Sequence, residues 1–159
     1  MSSRRDLGQD RPSVLRVGDA GGRAAAAALQ TGLRVLEQGK LLGIYPEGTR
    51  APDTRLYKGK TGVARLALTA RVPVIPTAVI DTFGLLPEGR ILPRLRVRPT
   101  IRFGEPLDFS DFYGRENDHA ALRTVTDQIM LAIQKLSGQE YVDTYAATAK
   151  ARRAEEATG

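Results

Sequence analysis

The sequence contains no cysteine and a single histidine, His119. Disulfides, cysteine-based metal or redox sites and a histidine-rich metal site are therefore excluded. Residues 1–10 are polar and no apolar core follows them, so the sequence shows no secretory signal. The longest apolar stretches, residues 41–45 and 72–80, are shorter than the ~20 residues that a membrane-spanning helix needs, and we expect no span.

The 159 residues suffice for one domain, and 42% hydrophobic with 26% charged residues is an ordinary globular composition. The 24 lysines and arginines exceed the 18 acidic residues, which gives a net charge of +6. A positive charge suits an anionic partner, but it does not choose between a lipid headgroup surface and nucleic acid.

Three stretches repeat apolar residues with the helical period of i, i+3, i+4 and i+7. Gly39 and Gly138 stand where the first and the third of these predicted helices end. The first stripe consists of Ala25, Ala28, Leu29, Gly32, Leu33 and Leu36. The second consists of Val63, Leu66, Ala67 and Ala70. The third consists of Leu122, Val125, Ile129, Ile133 and Leu136.

Three further stretches have strand character. Residues 41–45 form a continuous apolar run typical of a buried strand, and residues 72–80 are strand-like with two prolines. A strand, a helix and a strand in this order predict a right-handed crossover and a parallel pair. In the third stretch apolar residues alternate with arginines, which predicts a half-buried strand. The apolar set is Leu95, Val97, Ile101 and Phe103, and the basic set is Arg94, Arg96, Arg98 and Arg102.

These elements predict a small α/β domain over residues 19–137, with a mixed or parallel sheet flanked by helices. Residues 1–18 have no periodicity, and we expect a loose amino-terminal arm. Residues 138–159 are helix-prone but have little apolar face, so a frayed polar tail is expected there.

The segment Pro46-Glu47-Gly48-Thr49-Arg50 directly follows the first predicted strand. Ligands of open α/β sheets bind at the carboxyl ends of the strands. Gly48 permits a close backbone approach, and Arg50 offers a fork of donors that suits a phosphate. Glu47 can hold that arginine or accept a hydrogen bond from a substrate hydroxyl, and Thr49 adds a hydroxyl donor.

The segment Lys58-Gly59-Lys60-Thr61-Gly62 opens the second predicted helix, where free amides and the helix dipole favour an anion. Two such elements close together favour a phosphate site. The residues alone leave an alternative open, in which Glu47 and Arg50 form an ion pair that stabilises the loop and the lysines are merely solvated.

Four segments, in this order, resemble motifs of the lysophosphatidic acid and glycerol-phosphate acyltransferases. They are Pro46-Glu47-Gly48-Thr49-Arg50, Lys58-Gly59-Lys60-Thr61-Gly62, Val72-Pro73-Val74-Ile75-Pro76-Thr77-Ala78 and Phe103-Gly104-Glu105-Pro106-Leu107. The likeness extends over about residues 22–110. It implies the carboxy-terminal part of that family's α/β fold.

By this resemblance, the acceptor phosphate is bound by Glu47, Gly48, Thr49, Arg50, Lys58 and Lys60. Pro73 and Pro76 would support the acyl-binding side. The implied reaction moves an acyl group from acyl-CoA or acyl carrier protein to lysophosphatidic acid or a related glycerolipid, with no bound cofactor or metal. The implied location is the cytoplasm, with peripheral contact at the inner face of the cell membrane.

The family's catalytic motif, His-x-x-x-x-Asp, is absent from this sequence. In the family its histidine acts as general base on the acceptor hydroxyl, and its aspartate orients that histidine. His119 lies after the loop, and the residue five positions on is Thr124, so we expect a surface histidine and assign no catalytic residue. Two interpretations stay open, a truncated acyltransferase, which is simpler, and a remnant that binds ligands without catalysis. A family arginine segment is at most vestigial around Arg16.

Two other functions are alternatives to the acyltransferase as interpretations of the sequence. A nucleotide-binding P-loop at Gly59-Lys60-Thr61 is rejected, because that motif needs a glycine where Thr54 stands. Nucleic-acid binding by the arginine-bearing strand is the more serious alternative. Strands that bind nucleic acid usually interleave stacking aromatics, and here the alternate residues are Leu95, Val97 and Ile101, so no nucleic-acid partner is expected.

Overall fold

The structure is a computed structural model that describes residues 13–15, 23–81 and 98–157. Its strands are β1 (Ser13–Leu15), β2 (Leu42–Ile44), β3 (Leu56–Tyr57), β4 (Thr77–Ile80), β5 (Thr100–Phe103) and β6 (Tyr141–Val142). Its α-helices are α1 (Arg23–Glu37), α2 (Gly62–Ala70), α3 (His119–Ser137) and α4 (Ala146–Glu156). No helix within these ranges is both long enough and apolar enough to cross a bilayer.

The strands pair in three ladders. β1 runs parallel to β2, β3 runs parallel to β6, and β4 runs antiparallel to β5. The predicted mixed α/β class is confirmed. The predicted parallel pairing of residues 41–45 with residues 72–80 is wrong, because β2 pairs with β1 and β4 pairs with β5. The antiparallel contact continues to a bridge between Val74 and Leu107, which gives residues 74–80 a long partner in residues 100–107.

The core lies between α2 and α3. Its residues on α3 and Val63 on α2 belong to the predicted stripes, whereas Ala64 and Leu68 on α2 were not in the predicted set. It contains Val63, Ala64, Leu68, Phe109, Leu122, Val125 and Ile129. Asp118 caps α3, because its carboxylate accepts hydrogen bonds from the amides of Ala120 and Ala121. Gly39 and Gly138 follow their helices with φ values of 70° and 72°, which confirms the predicted helix ends.

The described part of the arginine-bearing strand is oriented differently from the prediction. Ile101 and Phe103 are 57% and 70% exposed, so this apolar face is not half-buried. The opposite face turns toward α3, where Ala78 is buried and Arg102 donates from Nη1 to the Leu136 carbonyl at 3.1 Å. The Leu136 carbonyl lies in the last turn of α3, where carbonyls have no partner within the helix. Its hydrogen bond from Arg102 therefore keeps the arginine-bearing face of β5 turned toward α3. Arg94, Leu95, Arg96 and Val97 lie outside the described residues.

Both ends of the chain contain more structure than expected. Ser13–Leu15, assigned to a loose arm, form β1, while Arg16 lies outside the described residues. Residues 141–156, assigned to a frayed tail, form β6 and α4, with Ala146 fully buried. Contacts with the loop after β2 order the tail. They provide the stabilisation that its small apolar face does not.

Candidate functional site

The loop after β2 begins with a tight turn. The Gly48 amide donates to the Tyr45 carbonyl at 3.0 Å, and Gly48 has a φ of 77°, which a glycine adopts without a steric cost. The Lys60 amide donates to the Pro46 carbonyl at 2.8 Å. The structure therefore brings the two predicted phosphate-binding segments side by side at the start of α2.

Glu47 fastens this loop to β3. Its Oε2 accepts a hydrogen bond from the Tyr57 amide at 2.9 Å. Burial raises the pKa of the Glu47 carboxyl, the amide hydrogen bond opposes that effect, and the negative charge of Asp53 adds to it. In the described part of the chain no ion pair joins Glu47 to Arg50. Arg50 is exposed and makes no hydrogen bond or ion pair with described residues, so its guanidinium can meet a ligand.

Lys58 is directed to the tail. Its Nζ lies 2.8 Å from Asp143 Oδ1 and 6.0 Å from the centre of the Tyr145 ring. The hydrogen bond from Lys58 to Asp143 raises the pKa of the lysine and lowers that of the aspartate. Lys58 therefore has a carboxylate partner already, whereas the sequence predicted it to face a phosphate.

Gly59 lies between Lys58 and Lys60 and is buried. A Cβ on Gly59 would lie 2.8 Å from Met130 Sδ on α3, so only a glycine lets this strip pack so closely. The Gly59 carbonyl accepts from Arg123 Nη1 at 2.8 Å. Helix α3 thus fixes the backbone between the two lysines, while Lys60 itself is half-buried.

Asp53 is the centre of the polar contacts behind the loop. Its Oδ2 accepts from Arg55 at 2.8 Å, from the Tyr57 hydroxyl at 3.0 Å and from Arg153 at 2.6 Å. Burial alone would raise the pKa of this carboxyl, but the hydrogen bonds from Arg55 and Tyr57 lower it to about 2. A charged Asp53 therefore joins β3, the loop and helix α4.

The tail contributes to this site, which was not predicted from the sequence. Lys150 Nζ lies 3.4 Å from Thr49 Oγ1, and Arg153 Nη1 donates to the Pro52 carbonyl at 2.9 Å. A signal was present, because Ala146, Lys150 and Arg153 follow the i, i+4, i+7 spacing of one helix face. That face is a buried alanine followed by two cations rather than an apolar stripe, so its contact with the loop was not predicted.

The remaining candidate residues lie elsewhere. Pro73 is exposed and Pro76 is buried, and the Pro76 carbonyl accepts from the Gly104 amide at 2.9 Å. Pro76 thus belongs to the segment that pairs with residues 100–107 and Pro73 directly precedes that segment, and in the described residues no hydrogen bond joins either proline to the loop after β2. His119 is exposed at the first position of α3, as expected of a surface histidine.

Comparisons with known proteins agree with one another. The family model described as Acyltransferase matches residues 11–80. A probable 1-acyl-sn-glycerol-3-phosphate acyltransferase of Mycoplasma pneumoniae is 29% identical over 47% of this chain and 28% of its own length. The 1-acyl-sn-glycerol-3-phosphate acyltransferase of Limnanthes alba is 30% identical over 62% of this chain and 35% of its own length.

Among solved structures, the 1-acyl-sn-glycerophosphate (LPA) acyltransferase of Thermotoga maritima superposes with a TM-score of 0.50 at 25% identity. That match covers 70% of this chain and 44% of the Thermotoga chain. The chain therefore spans less than half of the Thermotoga protein, and about a third of each of the two curated relatives.

Proposed function

Because the chain belongs to the lysophosphatidic acid acyltransferase family, we propose that it carries the acceptor-phosphate side of an acyltransferase site and is inactive by itself. The acceptor is lysophosphatidic acid or a related glycerolipid, and the donor is acyl-CoA or acyl carrier protein. The phosphate-binding residues are Glu47, Gly48, Thr49, Arg50 and Lys60, with Arg50 on the phosphate itself.

The observation that carries this proposal is the state of the loop after β2. Its backbone is fixed from both sides, since Glu47 accepts from the Tyr57 amide and Pro46 accepts from the Lys60 amide. Arg50 nevertheless stays exposed and has no carboxylate partner among the described residues. A loop whose backbone is held at two points and whose guanidinium is exposed suits a phosphate. The arginine fork matches the phosphate oxygens, and the loop backbone loses little conformational entropy when the ligand binds.

The chemistry explains the proposed inactivity. In acyl transfer, the free hydroxyl of the acceptor attacks the thioester carbonyl, an ester bond forms, the carbon–sulfur bond breaks and the thiol leaves with a proton. A general base must take the hydroxyl proton at neutral pH, and histidine has the suitable pKa. The one histidine of this sequence, His119, is an exposed residue of α3 and lacks the family's aspartate five positions on.

The binding half of the proposal is tested with sn-glycerol 3-phosphate, followed by calorimetry or by amide NMR shifts at low salt. We expect Arg50→Ala to weaken binding at least about tenfold, because a charge-assisted contact is lost. Arg34→Ala is the matched control. It removes an exposed arginine that lies on α1 and not in the loop, and it should leave the affinity unchanged. Equal affinities of the Arg50→Ala variant and the wild type would contradict the proposal and leave the loop with a structural role only.

The inactivity is tested with lysophosphatidic acid and acyl-CoA by following the released thiol. We expect no turnover above the rate without protein. Measurable turnover that depends on the protein would contradict the proposal and would require a base other than a His-x-x-x-x-Asp pair. Adding His119→Ala to that assay would then establish whether His119 is involved.

We also propose peripheral contact with an anionic membrane. Its support is the outer face of β4 and β5, where Val79 and its partner Ile101 are 40% and 57% exposed, together with a net charge of +6. Anionic lipid attracts basic residues at about 1 kcal/mol each near the surface. Flotation with liposomes tests this contact, and equal binding to neutral and anionic liposomes would contradict it.

A further inference from the structure

The carboxy-terminal tail lies directly against the loop that carries the proposed phosphate site. Two backbone hydrogen bonds join them, from the Leu56 amide to the Glu140 carbonyl at 2.9 Å and from the Lys58 amide to the Thr144 carbonyl at 3.1 Å. Arg153 reaches the loop from the far end of α4 through the Pro52 carbonyl at 2.9 Å. Helix α4 is thus fixed at both ends, and its middle lies beside Thr49.

This docking changes which cations are available to a ligand. Asp143, on the tail, is 2.8 Å from Lys58 and gives that lysine a carboxylate partner. Arg153 is occupied in the same way by Asp53 at 2.6 Å. Two of the basic side chains around the loop are therefore already matched by carboxylates.

Lys150 differs from both. It is half-buried, and among the described residues the hydrogen bond of its Nζ is to Thr49 Oγ1 at 3.4 Å, which is at the long end of hydrogen-bond distances. No carboxylate of a described residue lies within ion-pair distance of it. An ammonium group has three donors, so at least two are left for another acceptor. The attraction between a partly buried ammonium group and a bound anion is strong, because water screens the pair less than at an open surface.

We infer that Lys150 supplies the ammonium group of the acceptor-phosphate site, in the role that the sequence pattern assigned to Lys58. The inference rests on the proposed function of the loop, and it adds a residue from outside the segments that resemble the family. Thr49 places the ammonium beside the motif that ends in Arg50. A phosphate monoester dianion bound there meets a guanidinium from the loop and an ammonium from α4.

The experiment measures the affinity of the full chain for sn-glycerol 3-phosphate, with inorganic phosphate and glycerol as reference ligands. We expect Lys150→Ala to weaken binding of both phosphates about tenfold, as for a lost hydrogen bond to a charged group, and Lys150→Arg to restore most of the affinity. Arg152→Ala is the matched control. It removes an exposed cation two residues along α4, on another face, and should change affinity less than about twofold.

The outcomes separate this inference from the proposed function. If Arg50→Ala loses binding and Lys150→Ala does not, the site stands and the role of Lys150 is refuted. If Arg152→Ala weakens binding as much as Lys150→Ala, only the overall charge matters and the inference is also refuted. If the wild type binds neither phosphate, both proposals fail. Thermal unfolding of each variant shows whether helix α4 stays docked, since a purely structural Lys150 would alter stability and leave the affinity of the folded protein intact.

Discussion

The junction between the loop and the tail, defined as residues 46–58 with residues 138–156, differs in kind from the contact between β4 and β5. In the junction, a short backbone ladder between β3 and β6 is reinforced by side chains that bond to side chains and to carbonyls around Asp53, and Tyr57 is fully buried. Between β4 and β5 the backbone ladder makes the contact, and one face of the pair stays open with Phe103 70% exposed. The side chains of the junction therefore add to its backbone pairing, whereas on one face of β4 and β5 the side chains stay exposed in the part of the chain that the structure describes.

The largest expected effect is at Tyr57, the buried aromatic of the junction. Tyr57→Ala should lower the free energy of unfolding by about 3–5 kcal/mol, because a large buried side chain is replaced by a cavity. Urea unfolding followed by circular dichroism measures it. Tyr57→Phe, which removes only the hydroxyl bonded to Asp53, should cost about 1 kcal/mol. If Tyr57→Ala lowers the free energy of unfolding by less than about 1 kcal/mol, the junction is no more dependent on its side chains than the contact between β4 and β5.

The next effect concerns the close approach of the loop to α3. Gly59→Ala should cost about 1–3 kcal/mol, since the added Cβ would lie 2.8 Å from Met130 Sδ and 3.1 Å from Thr126. Gly62→Ala is the control, because nothing lies within 4 Å of its added Cβ. That change should be neutral or slightly stabilising. Equal costs for the two variants in urea unfolding would mean that the strip between the lysines is not tightly packed.

A smaller effect is expected from the charge of Asp53. Its folded-state pKa of about 2 lies below the ordinary 3.8, so its stabilisation is complete above about pH 4 and is lost as the pH falls toward 2. We expect this contribution to reach about 1–2 kcal/mol, with solvent screening included. The stability difference between wild type and Asp53→Asn should therefore shrink on acidification.

Urea midpoints at pH 7, pH 4 and pH 2.5 measure the Asp53 effect. Asp111→Asn, which removes an exposed carboxylate from a short 3-10 helix (Ser110–Phe112), serves as the control for a change in net charge. A difference between wild type and Asp53→Asn that stays constant with pH would show that the contacts with Arg55, Tyr57 and Arg153 do not depend on the charge of Asp53.

The smallest effect is expected on the open face of β5. Phe103→Ala should change the free energy of unfolding by less than about 0.5 kcal/mol, because a largely exposed side chain adds little to folding. The same variant should bind anionic liposomes less well, as measured by flotation. A loss of stability comparable to that of Tyr57→Ala would show that this face is covered in the folded protein.

The parts of the fold that the sequence predicted are those with a strong local period. Three residues of the α3 stripe and Val63 of the α2 stripe lie in the core, and Gly39 and Gly138 follow the ends of α1 and α3, because apolar spacing and glycine conformation act over a few residues. The predicted strand pairing, residues 41–45 with residues 72–80, was wrong. The choice of β5 over β2 as the partner of β4 depends on contacts between distant residues, which no local pattern records.

The candidate site was predicted only in part, for a similar reason. The sequence singled out residues 46–50 and 58–62, and the structure brings these two segments together through the Lys60 amide and the Pro46 carbonyl. It did not indicate that Asp143 would pair with Lys58 or that Lys150 would reach Thr49. Both contacts span more than eighty residues and join the polar tail to polar residues near the loop, and polar pairs carry no periodic signal.

By itself, the sequence determined that a glycine turn, a carboxylate, a hydroxyl and an arginine stand together at the end of a strand, and that no His-x-x-x-x-Asp motif occurs among these 159 residues. Only the tertiary structure decided which cations around that turn remain available. Lys58 is paired with a carboxylate of the tail, while Arg50 and Lys150 have no carboxylate partner within residues 13–15, 23–81 and 98–157. The physical reason is that the availability of a charge depends on its neighbours in space and on their distances, and those are set when the tail docks on the loop.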